Sequence, residues 1–372
     1  MTSQTHANHI LVPIQTLVGG GVERVALRLA GEWLALGRRV TLVLGSDAGP
    51  LAAELPAGVE IVHVGDGRYT AVLRAMPRTI RTAAPDVIFC AGNHYSSMGA
   101  YARWRLGAAC PPIVAKVSNA LVRRDQGRVH AAGYRAWLRL HPRFLDAVVA
   151  MTPGMRTEAI AEMAMSPERV HVIANPAPRI AVGTVSPGTG LVGVGRLAPQ
   201  KRWDRAIAAL ARLSDPTVTL TIFGEGEERA TLTAQAAALG LGDRVRLPGY
   251  TPDPSAAIAG AGAVVLTSDF EGVPGVLREA IAAGTPVITT DSSVAVREIL
   301  TSPAQGSVVA VDDADALVAA IAYWLEPGRA RPTPQPVPNT SAADYVALFD
   351  SLVAATATAP PPPTSPAPSS SV

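Results

Sequence analysis

Lysine is nearly absent from this sequence, and cysteine is scarce. Only Lys116 and Lys201 stand among 32 basic residues, and the rest are arginines. The two cysteines, Cys90 and Cys110, are too few for a disulfide framework and have no metal-ligand spacing around them, which favours a reducing compartment. No apolar run approaches the roughly 18 residues that a spanning helix needs, and the first ten residues lack the pattern of a secretory signal. We therefore expect a cytoplasmic protein.

The balance of charge differs between the two halves of the chain. Residues 1–180 carry 20 Lys and Arg against 12 Asp and Glu, whereas residues 181–372 carry 12 against 18. The basic half could face an anionic acceptor or a lipid headgroup surface, although well-solvated arginine faces account for the charge equally simply. We expect no nucleic-acid partner.

Short β-rich runs alternate with amphipathic segments of helical length. The first half contains seven such runs: 10–14, 39–44, 59–64, 86–92, 112–118, 147–152 and 170–175. A breaker-rich stretch at 175–190 interrupts the alternation, which then resumes. Strands that alternate with helices predict parallel, doubly wound sheets, here two of them in succession. Ligands of such sheets bind beyond the carboxyl ends of the strands, so a cleft between the two is the expected site.

The pattern predicts an N-terminal domain over 1–180 and a C-terminal domain over 186–330. A proline-rich connector, 326–339, leads to a last amphipathic helix within 338–356. The tail 357–372 is rich in proline and serine, cannot bury a core, and is expected to be disordered.

Two motifs imitate well-known nucleotide and metal sites. The glycine-rich turns at 18–27 and 223–232 almost spell a dinucleotide fingerprint, but Arg24 and Arg229 stand where its third glycine belongs. A nicotinamide or flavin cofactor is therefore disfavoured, and we expect no cofactor. Asp313-Ala-Asp315 looks like a metal-binding D-x-D site, but it opens a helix, where acids are ordinary capping residues. We therefore predict no metal requirement.

Two glutamates, Glu271 and Glu279, flank a Gly-Val-Pro-Gly turn where an apolar strand gives way to a helix. Pro274 suits the first helical turn and Gly284 the C-terminal stop. The helix N-terminus between the two carboxylates is a ready anion site, and the glycines at 272 and 275 allow close backbone approach. A ligand with hydroxyls at both ends and phosphates in the middle would fit, and a nucleoside diphosphate sugar has that shape.

Basic residues follow another strand of the second half. Arg196 lies just past the strand end, and Lys201 and Arg202 begin the next helix. Cations oppose the dipole of a helix N-terminus, so they suit a bound diphosphate better than they suit stability. Lysine at 201, in a chain that otherwise uses arginine, indicates a compact point charge, although chance placement is an alternative.

Several motifs in fixed order carry a family resemblance. They are GRLAPQKR, IFGEGEER, VRLPGY and SDFEGVPGVLREAIAAGTPVITTD, preceded by TLVGGGVERVAL in the first half. Over about residues 10 to 355 the chain resembles glycosyltransferase family 4, retaining enzymes of the GT-B fold, whose C-terminal helix returns to the N-terminal domain. One departure is Ser292-Ser293, where many members have a glycine pair, which puts the loop on the base and ribose side of the donor in doubt.

The resemblance implies a role for each matching residue. Glu279 would bind the nucleotide ribose and Glu271 the hydroxyls of the donor sugar, while Arg196 and Lys201 would hold the diphosphate leaving group. His94 would correspond to a family histidine near the transferred sugar, a surface histidine being an equal alternative, and Asn119 is a weaker acceptor-side candidate. Backbone groups complete the expected site: Gly19 and Gly20 in the N-terminal half, and Gly272, Val273, Pro274, Gly275 and Val276 facing the donor.

The resemblance implies a metal-independent hexosyltransferase that moves a sugar with retention from a nucleotide sugar, UDP-linked by preference and GDP-linked otherwise. The acceptor would be a glycan or lipid-linked molecule in polysaccharide or glycoconjugate synthesis. A basic amphipathic segment, 123–144, could lie on an anionic membrane at its inner face, and an ordinary packed helix is an equal alternative. A non-catalytic sugar-nucleotide-binding protein and a GT-B epimerase remain as other hypotheses.

Overall fold

Two parallel sheets form the framework of the protein. The computed structural model describes residues 6–18, 20–122, 127–178 and 188–358. The first sheet has the strand order β3-β2-β1-β4-β5-β6-β7 and the second β10-β9-β8-β11-β12-β13, and every strand pair is parallel. The two doubly wound sheets and the returning helix described below confirm the predicted fold class.

The strands coincide with the β-rich runs of the sequence. Those of the first sheet are β1 (His9–Thr16), β2 (Arg39–Ser46), β3 (Glu60–His63), β4 (Val87–Cys90), β5 (Ile113–Lys116), β6 (Ala147–Ala150) and β7 (Val170–Val172). Those of the second are β8 (Leu191–Val194), β9 (Leu220–Phe223), β10 (Val245–Gly249), β11 (Ala263–Leu266), β12 (Val287–Thr290) and β13 (Gly306–Val309). Five of the inner strands, β4, β5, β6, β11 and β12, are buried along their whole length because helices cover both faces.

Twelve helices connect and follow these strands in the described part of the chain. They are α1 (Gly21–Ala35), α2 (Tyr69–Ala83), α3 (Ser96–Leu106), α4 (Arg128–Leu138), α5 (Pro153–Met163), α6 (Trp203–Ala211), α7 (Arg229–Ala238), α8 (Ser255–Gly260), α9 (Gly275–Ala283), α10 (Val294–Ile299), α11 (Ala314–Trp324) and α12 (Ser341–Thr358). Among the residues that the structure describes, no helix has both the length and the apolar character needed to cross a bilayer.

The last helix returns to the first sheet. Tyr345 and Phe349 of α12 pack edge-on against Trp33 of α1, and Tyr345 packs in the same way against Phe89 of β4. These rings are almost fully buried, so α12 completes the core of the N-terminal half. The helix runs from Ser341 to Thr358, close to the predicted 338–356. The predicted hinge lies partly, and the disordered tail almost wholly, outside the described residues, as do residues 123–126 of the basic segment.

Strand order reverses between β1 and β4 in the first sheet and between β8 and β11 in the second. These are the switch points at which doubly wound sheets bind ligands. Gly20 follows β1, His94 follows β4, Arg196 follows β8 and Glu271 follows β11. The topology therefore brings residues that are far apart in sequence to the carboxyl edges of both sheets.

The turn after β9 has glycines for a steric reason. Gly224 and Gly226 have φ values of 153° and 159°, and a Cβ atom on either would collide with a carbonyl oxygen of the loop after β8, that of Gly195 or of Leu197. Arg229 begins α7 and binds Glu225. These two glycines let two loops of the second sheet pack together. Their presence in the turn therefore has a structural reason that requires no dinucleotide.

Candidate functional site

A cleft of about 300 Å³ lies between the two sheets. Residues from both halves line it, among them all five of the predicted segment 272–276 together with Arg196, Lys201, Glu271 and Glu279. A second cavity of about 750 Å³ adjoins the N-terminal sheet and contains His94, Gly20 and Asn119. The two cavities adjoin each other, because Arg196 and Asn119 border both.

The helix α9 begins at Gly275, with Pro274 at its N-cap, and ends before Gly284, whose φ of 67° is left-handed. The predicted helix is therefore confirmed, with Pro274 one residue before the first turn. A Cβ atom on Gly275 would have Glu279 Oε1 as its nearest neighbour, 3.9 Å away, so the helix start is open toward the cleft. Gly272 is constrained differently, because a Cβ atom there would collide with the carbonyl of Ser118 in the N-terminal half.

Glu271 is a buried carboxylate with two short hydrogen bonds. Its Oε1 accepts from Lys201 Nζ at 2.5 Å and from Ser268 Oγ at 2.6 Å. Its backbone N–H donates to the carbonyl of Ser292, and Ser293 Oγ donates to the carbonyl of Gly272. The serine pair that departs from the family pattern therefore holds the glutamate loop in place.

Lys201 ends a short 3-10 turn, Pro199–Lys201, that leans on the same loop. Gln200 Nε2 donates to the carbonyl of Phe270, and the backbone N–H of Asp269 donates to the carbonyl of Gln200. The next residue, Arg202, has a left-handed φ of 49° and binds Asp204 and Asp269. Arg202 is therefore already neutralised by acids, and Lys201 is the cation of this turn that reaches the cleft.

Glu279 lies on the second turn of α9 and is partly buried. Among the described residues it makes no hydrogen bond or ion pair, although Arg24, Arg28 and Arg278 are near enough to favour its charge. Burial outweighs these charges and raises the pKa of the Glu279 carboxyl. A carboxylate held in a cleft without a direct partner can accept hydrogen bonds from the hydroxyl groups of a ligand.

Arg196 is exposed, and its side chain makes no hydrogen bond or ion pair with the described residues. Its backbone carbonyl accepts from Trp203 Nε1 at 2.9 Å, which fixes the loop while leaving the guanidinium available. A planar guanidinium can bind two phosphate oxygens at once. At the border of the two cavities, Arg196 could therefore bind a phosphate that lies between ligands in each cavity.

His94 belongs to a 3-10 turn, Asn93–Tyr95, after β4. Its Nε2 lies 4.0 Å from Glu23 Oε1, and burial lowers the pKa of the imidazole although Glu23 acts in the opposite direction. The structure places it in the 750 Å³ cavity with Asn119 and Arg196, whereas Lys201, Glu271 and Glu279 line the other cavity. Gly20 borders the same cavity, and Gly19 lies outside the described residues.

Sequence reasoning missed four cleft cations. Lys116, Arg24, Arg28 and Arg278 all line the cleft. Arg24 donates to the hydroxyl of Tyr250 at 2.5 Å, and this hydroxyl donates to Glu54 Oε1 at 2.8 Å, so the group joins the two halves. The scarcity of lysine was the available signal for Lys116, because both lysines of the chain line this one cleft.

The apparent D-x-D motif is a helix cap. Asp313 Oδ1 accepts from the backbone N–H of Ala316 at 2.8 Å at the start of α11. Asp315 instead binds Arg212 at 2.6 Å. Within the described residues no group of three or more His, Cys, Asp or Glu side chains could hold a metal ion. The capping interpretation is confirmed.

Two families match the chain in succession. "Glycosyl transferase 4-like domain" matches residues 20–176, and "Glycosyl transferases group 1" matches residues 188–333. Together the two cover most of both halves.

Curated relatives cover about half of the chain. Lipopolysaccharide core biosynthesis glycosyltransferase LpsE of Rhizobium meliloti is 30% identical over 184 residues, which are 47% of this chain and 53% of the relative. A diphospho-undecaprenol 4-alpha-N-acetylgalactosaminyltransferase of Campylobacter jejuni is 26% identical over 198 residues, 52% of this chain and 54% of that protein. The chain thus spans about half the length of these relatives.

Solved structures agree with the fold over nearly the whole chain. Anabaena Alr3699/HepE in complex with UDP-glucose has a TM-score of 0.70 at 20% identity and covers 94% of each chain. WaaG, a glycosyltransferase involved in lipopolysaccharide biosynthesis, has a TM-score of 0.66 at 18% identity, with 95% of this chain and 96% of that chain covered. At these identities the likeness concerns the fold.

Proposed function

The chain belongs to the family 4-type glycosyltransferases with the GT-B fold, and on this basis we propose that it transfers a sugar, with retention, from a nucleotide sugar to a glycan or lipid-linked acceptor. UDP is the favoured nucleotide and a hexose or N-acetylhexosamine the favoured sugar. The observation that carries the proposal is the unpartnered carboxylate of Glu279 beside the open start of α9, in one cleft with Arg196 and Lys201.

Each part of a nucleotide sugar has a matching group in this cleft. The Glu279 carboxylate would accept hydrogen bonds from the two ribose hydroxyls. The N-terminal amides of α9 would face the diphosphate, whose charge Arg196 and Lys201 would neutralise. Glu271, at the other end of the segment 271–276, would contact the hydroxyls of the sugar.

The chemical step follows from the placement of charge. The bond between the anomeric carbon and the β-phosphate oxygen breaks, and a bond to the acceptor hydroxyl oxygen forms on the same face. The hydroxyl proton passes to the departing phosphate. Lys201 and Arg196 stabilise the negative charge that develops on this leaving group. Glu271 is held by Lys201 and Ser268, so we assign it sugar positioning rather than covalent attack.

The acceptor would approach through the second cavity. Its lining combines the rings of Tyr69, Tyr134 and Trp137 with His94 and Asn119. Aromatic faces and hydrogen-bonding groups together suit a sugar ring. Transfer then occurs where Arg196 joins the two cavities.

A membrane contact would be electrostatic rather than insertive. Trp137 stacks on Phe144, with ring centroids 5.5 Å apart, and Phe144 is buried. The aromatic groups of the basic segment therefore pack into the protein, which favours the packed-helix alternative for them. Exposed arginines, such as Arg128 and Arg139, are left to meet an anionic surface. Sedimentation with anionic liposomes tests this contact. Protein that stays in the supernatant would contradict it.

Thermal unfolding with millimolar UDP, GDP, ADP or NAD, without added metal, tests the donor. A ligand that binds only the folded state raises stability as RT ln(1 + [L]/Kd). We expect stabilisation by UDP, followed by sugar release or transfer from the matching UDP-sugar. Stabilisation by NAD alone would contradict the assignment of both glutamates. Nucleotide binding without turnover of any donor would favour the binding-protein hypothesis, and an isomerised donor would favour the epimerase.

A further inference from the structure

Lys116 is a buried cation that the proposed chemistry leaves unused. It ends β5 and is only 3% exposed, yet it borders the same cleft as Lys201 and Glu271. Its Nζ donates to Asn175 Oδ1 at 2.6 Å, and no carboxylate among the described residues pairs with it. An ammonium has three N–H donors, and burying one without an anion is costly. Two N–H donors of the Lys116 ammonium therefore remain available for an anionic group of a ligand.

Among the described residues, Arg278 is the charged group that acts on Lys116, although Glu271 and Glu279 line the same cleft without pairing with it. From α9, Arg278 donates to the backbone carbonyl of Asn175 at 2.8 Å. On β6 its strand partner is Val149, which is apolar, and the segment after β7 contributes the neutral amide of Asn175. Burial first, and the charge of Arg278 second, lower the pKa of Lys116 to about 7. Without a bound donor, most of the molecules would therefore carry a neutral amine here at pH 8.

Lys116 also lies on the wall that faces the start of α9. Ser118, two residues after the end of β5, is so close to Gly272 that a Cβ atom on this glycine would collide with the serine carbonyl. Gly272 leads through Pro274 into the N-terminus of α9. Lys201 approaches the same segment from the C-terminal half through Glu271. The two lysines therefore reach the one cleft from different halves of the protein.

Resting on the proposed function, we propose that Lys116 is a further phosphate-facing cation of this site, which takes up a proton when the donor diphosphate enters the cleft. The bound phosphates supply the direct anionic partner that Lys116 does not have among the described residues. Protonation restores the ammonium, which then neutralises the leaving group from the N-terminal wall. Domain closure over the donor would bring this wall toward the phosphates.

Calorimetric titration with UDP-glucose at pH 8, in two buffers of different ionisation enthalpy, measures the protons taken up per ligand bound. The diphosphate of UDP-glucose has no proton to exchange at this pH. We expect the wild-type protein to take up roughly 0.5 to 1 proton per nucleotide. Lys116→Met should lose this uptake and bind roughly ten- to a hundredfold more weakly, because a charge-assisted contact is gone.

Lys116→Arg is the matched variant. Arginine stays charged at pH 8, so binding should persist while proton uptake disappears. Uptake that survives in both variants would overturn the proposal, as would UDP-glucose binding to the wild type without uptake. Failure of the wild type to bind either UDP-glucose or GDP-mannose would instead overturn the donor assignment itself, and the role of Lys116 with it.

Asn175→Ala separates this role from a purely structural one. Removing the acceptor of the Lys116 hydrogen bond leaves the lysine free to meet a phosphate, so proton uptake on UDP-glucose binding should persist. If Lys116 serves only to anchor the segment after β7, Asn175→Ala and Lys116→Met should weaken binding equally and neither should show uptake. That result would overturn the proposal. Circular dichroism of each variant verifies that it is folded.

Discussion

The ammonium of Lys201 lies 2.5 Å from the Glu271 carboxylate, and both side chains are largely withdrawn from water, at 17% and 9% exposure. The two residues are 70 positions apart and belong to loops after different strands of the second sheet. In the proposed function, their contact joins the residue assigned to the leaving-group charge with the residue assigned to the donor sugar. A donor would place its diphosphate beside Lys201 and its sugar beside Glu271.

Removing Lys201 should destabilise the fold. Lys201→Ala leaves the buried Glu271 carboxylate without its cation, and we expect a loss of about 3 kcal/mol in the free energy of unfolding. Adding Glu271→Gln should recover part of that loss, because the unpaired charge is then gone. Urea unfolding of the two single variants and the double variant measures the coupling. The exposed pair of Arg39 and Glu60 is the control, since Arg39→Ala should change stability little; an equal loss there would contradict the prediction.

Glu279→Gln should weaken nucleotide binding without weakening the fold. Burial raises the pKa of Glu279, so its folded state binds more protons than the unfolded chain, and its contribution to stability falls as pH rises above the ordinary value of 4.5. Glutamine should remove that fall. UDP affinity should drop roughly tenfold or more through the lost ribose contacts.

Isothermal calorimetry and urea unfolding at pH 5 and pH 8 measure the two effects of the Glu279 substitution. Asp315→Asn, at an exposed residue at the start of α11, is the matched control and should alter neither quantity appreciably. Unchanged UDP affinity in Glu279→Gln would mean that this carboxylate does not hold the ribose.

Lys116 should make stability rise with pH in the absence of ligand. Its pKa is lowered from 10.5 to about 7, so between these values the unfolded chain binds more protons than the folded protein, and stability increases with pH. We expect the free energy of unfolding to rise from pH 7 to pH 9.5 in the wild type and to be flatter in Lys116→Met. Parallel curves for the two proteins would contradict this placement of the amine.

Asp313 should matter to stability and not to activity. Asp313→Ala removes the side-chain cap on the Ala316 N–H and should cost about 1 kcal/mol in the free energy of unfolding. Sugar transfer should be unchanged by this substitution and by EDTA, because we assign the leaving-group charge to Arg196 and Lys201. Activity that EDTA abolishes and magnesium restores would refute metal independence.

The sequence predicts most of the fold because local chemistry and long-range structure agree in it. The β-branched runs are long enough and apolar enough to be buried parallel strands, and each of the thirteen strands of the described chain falls on such a run. Pro274 and Gly284 mark the ends of α9 through their own backbone preferences. The family resemblance predicts the return of α12, which periodicity alone cannot, since an amphipathic helix does not specify the surface it covers.

The sequence by itself determined the elements and their order, because these depend on local periodicity, and it predicts the donor-side residues from motifs within short segments. Only the tertiary structure decided which polar groups meet: Lys201 with Glu271, Arg202 with Asp269, and Lys116 with the neutral amide of Asn175. Charge pairing depends on distances between loops of different strands, and burial depends on the packing of both halves. Neither quantity is encoded in the spacing of residues along one segment.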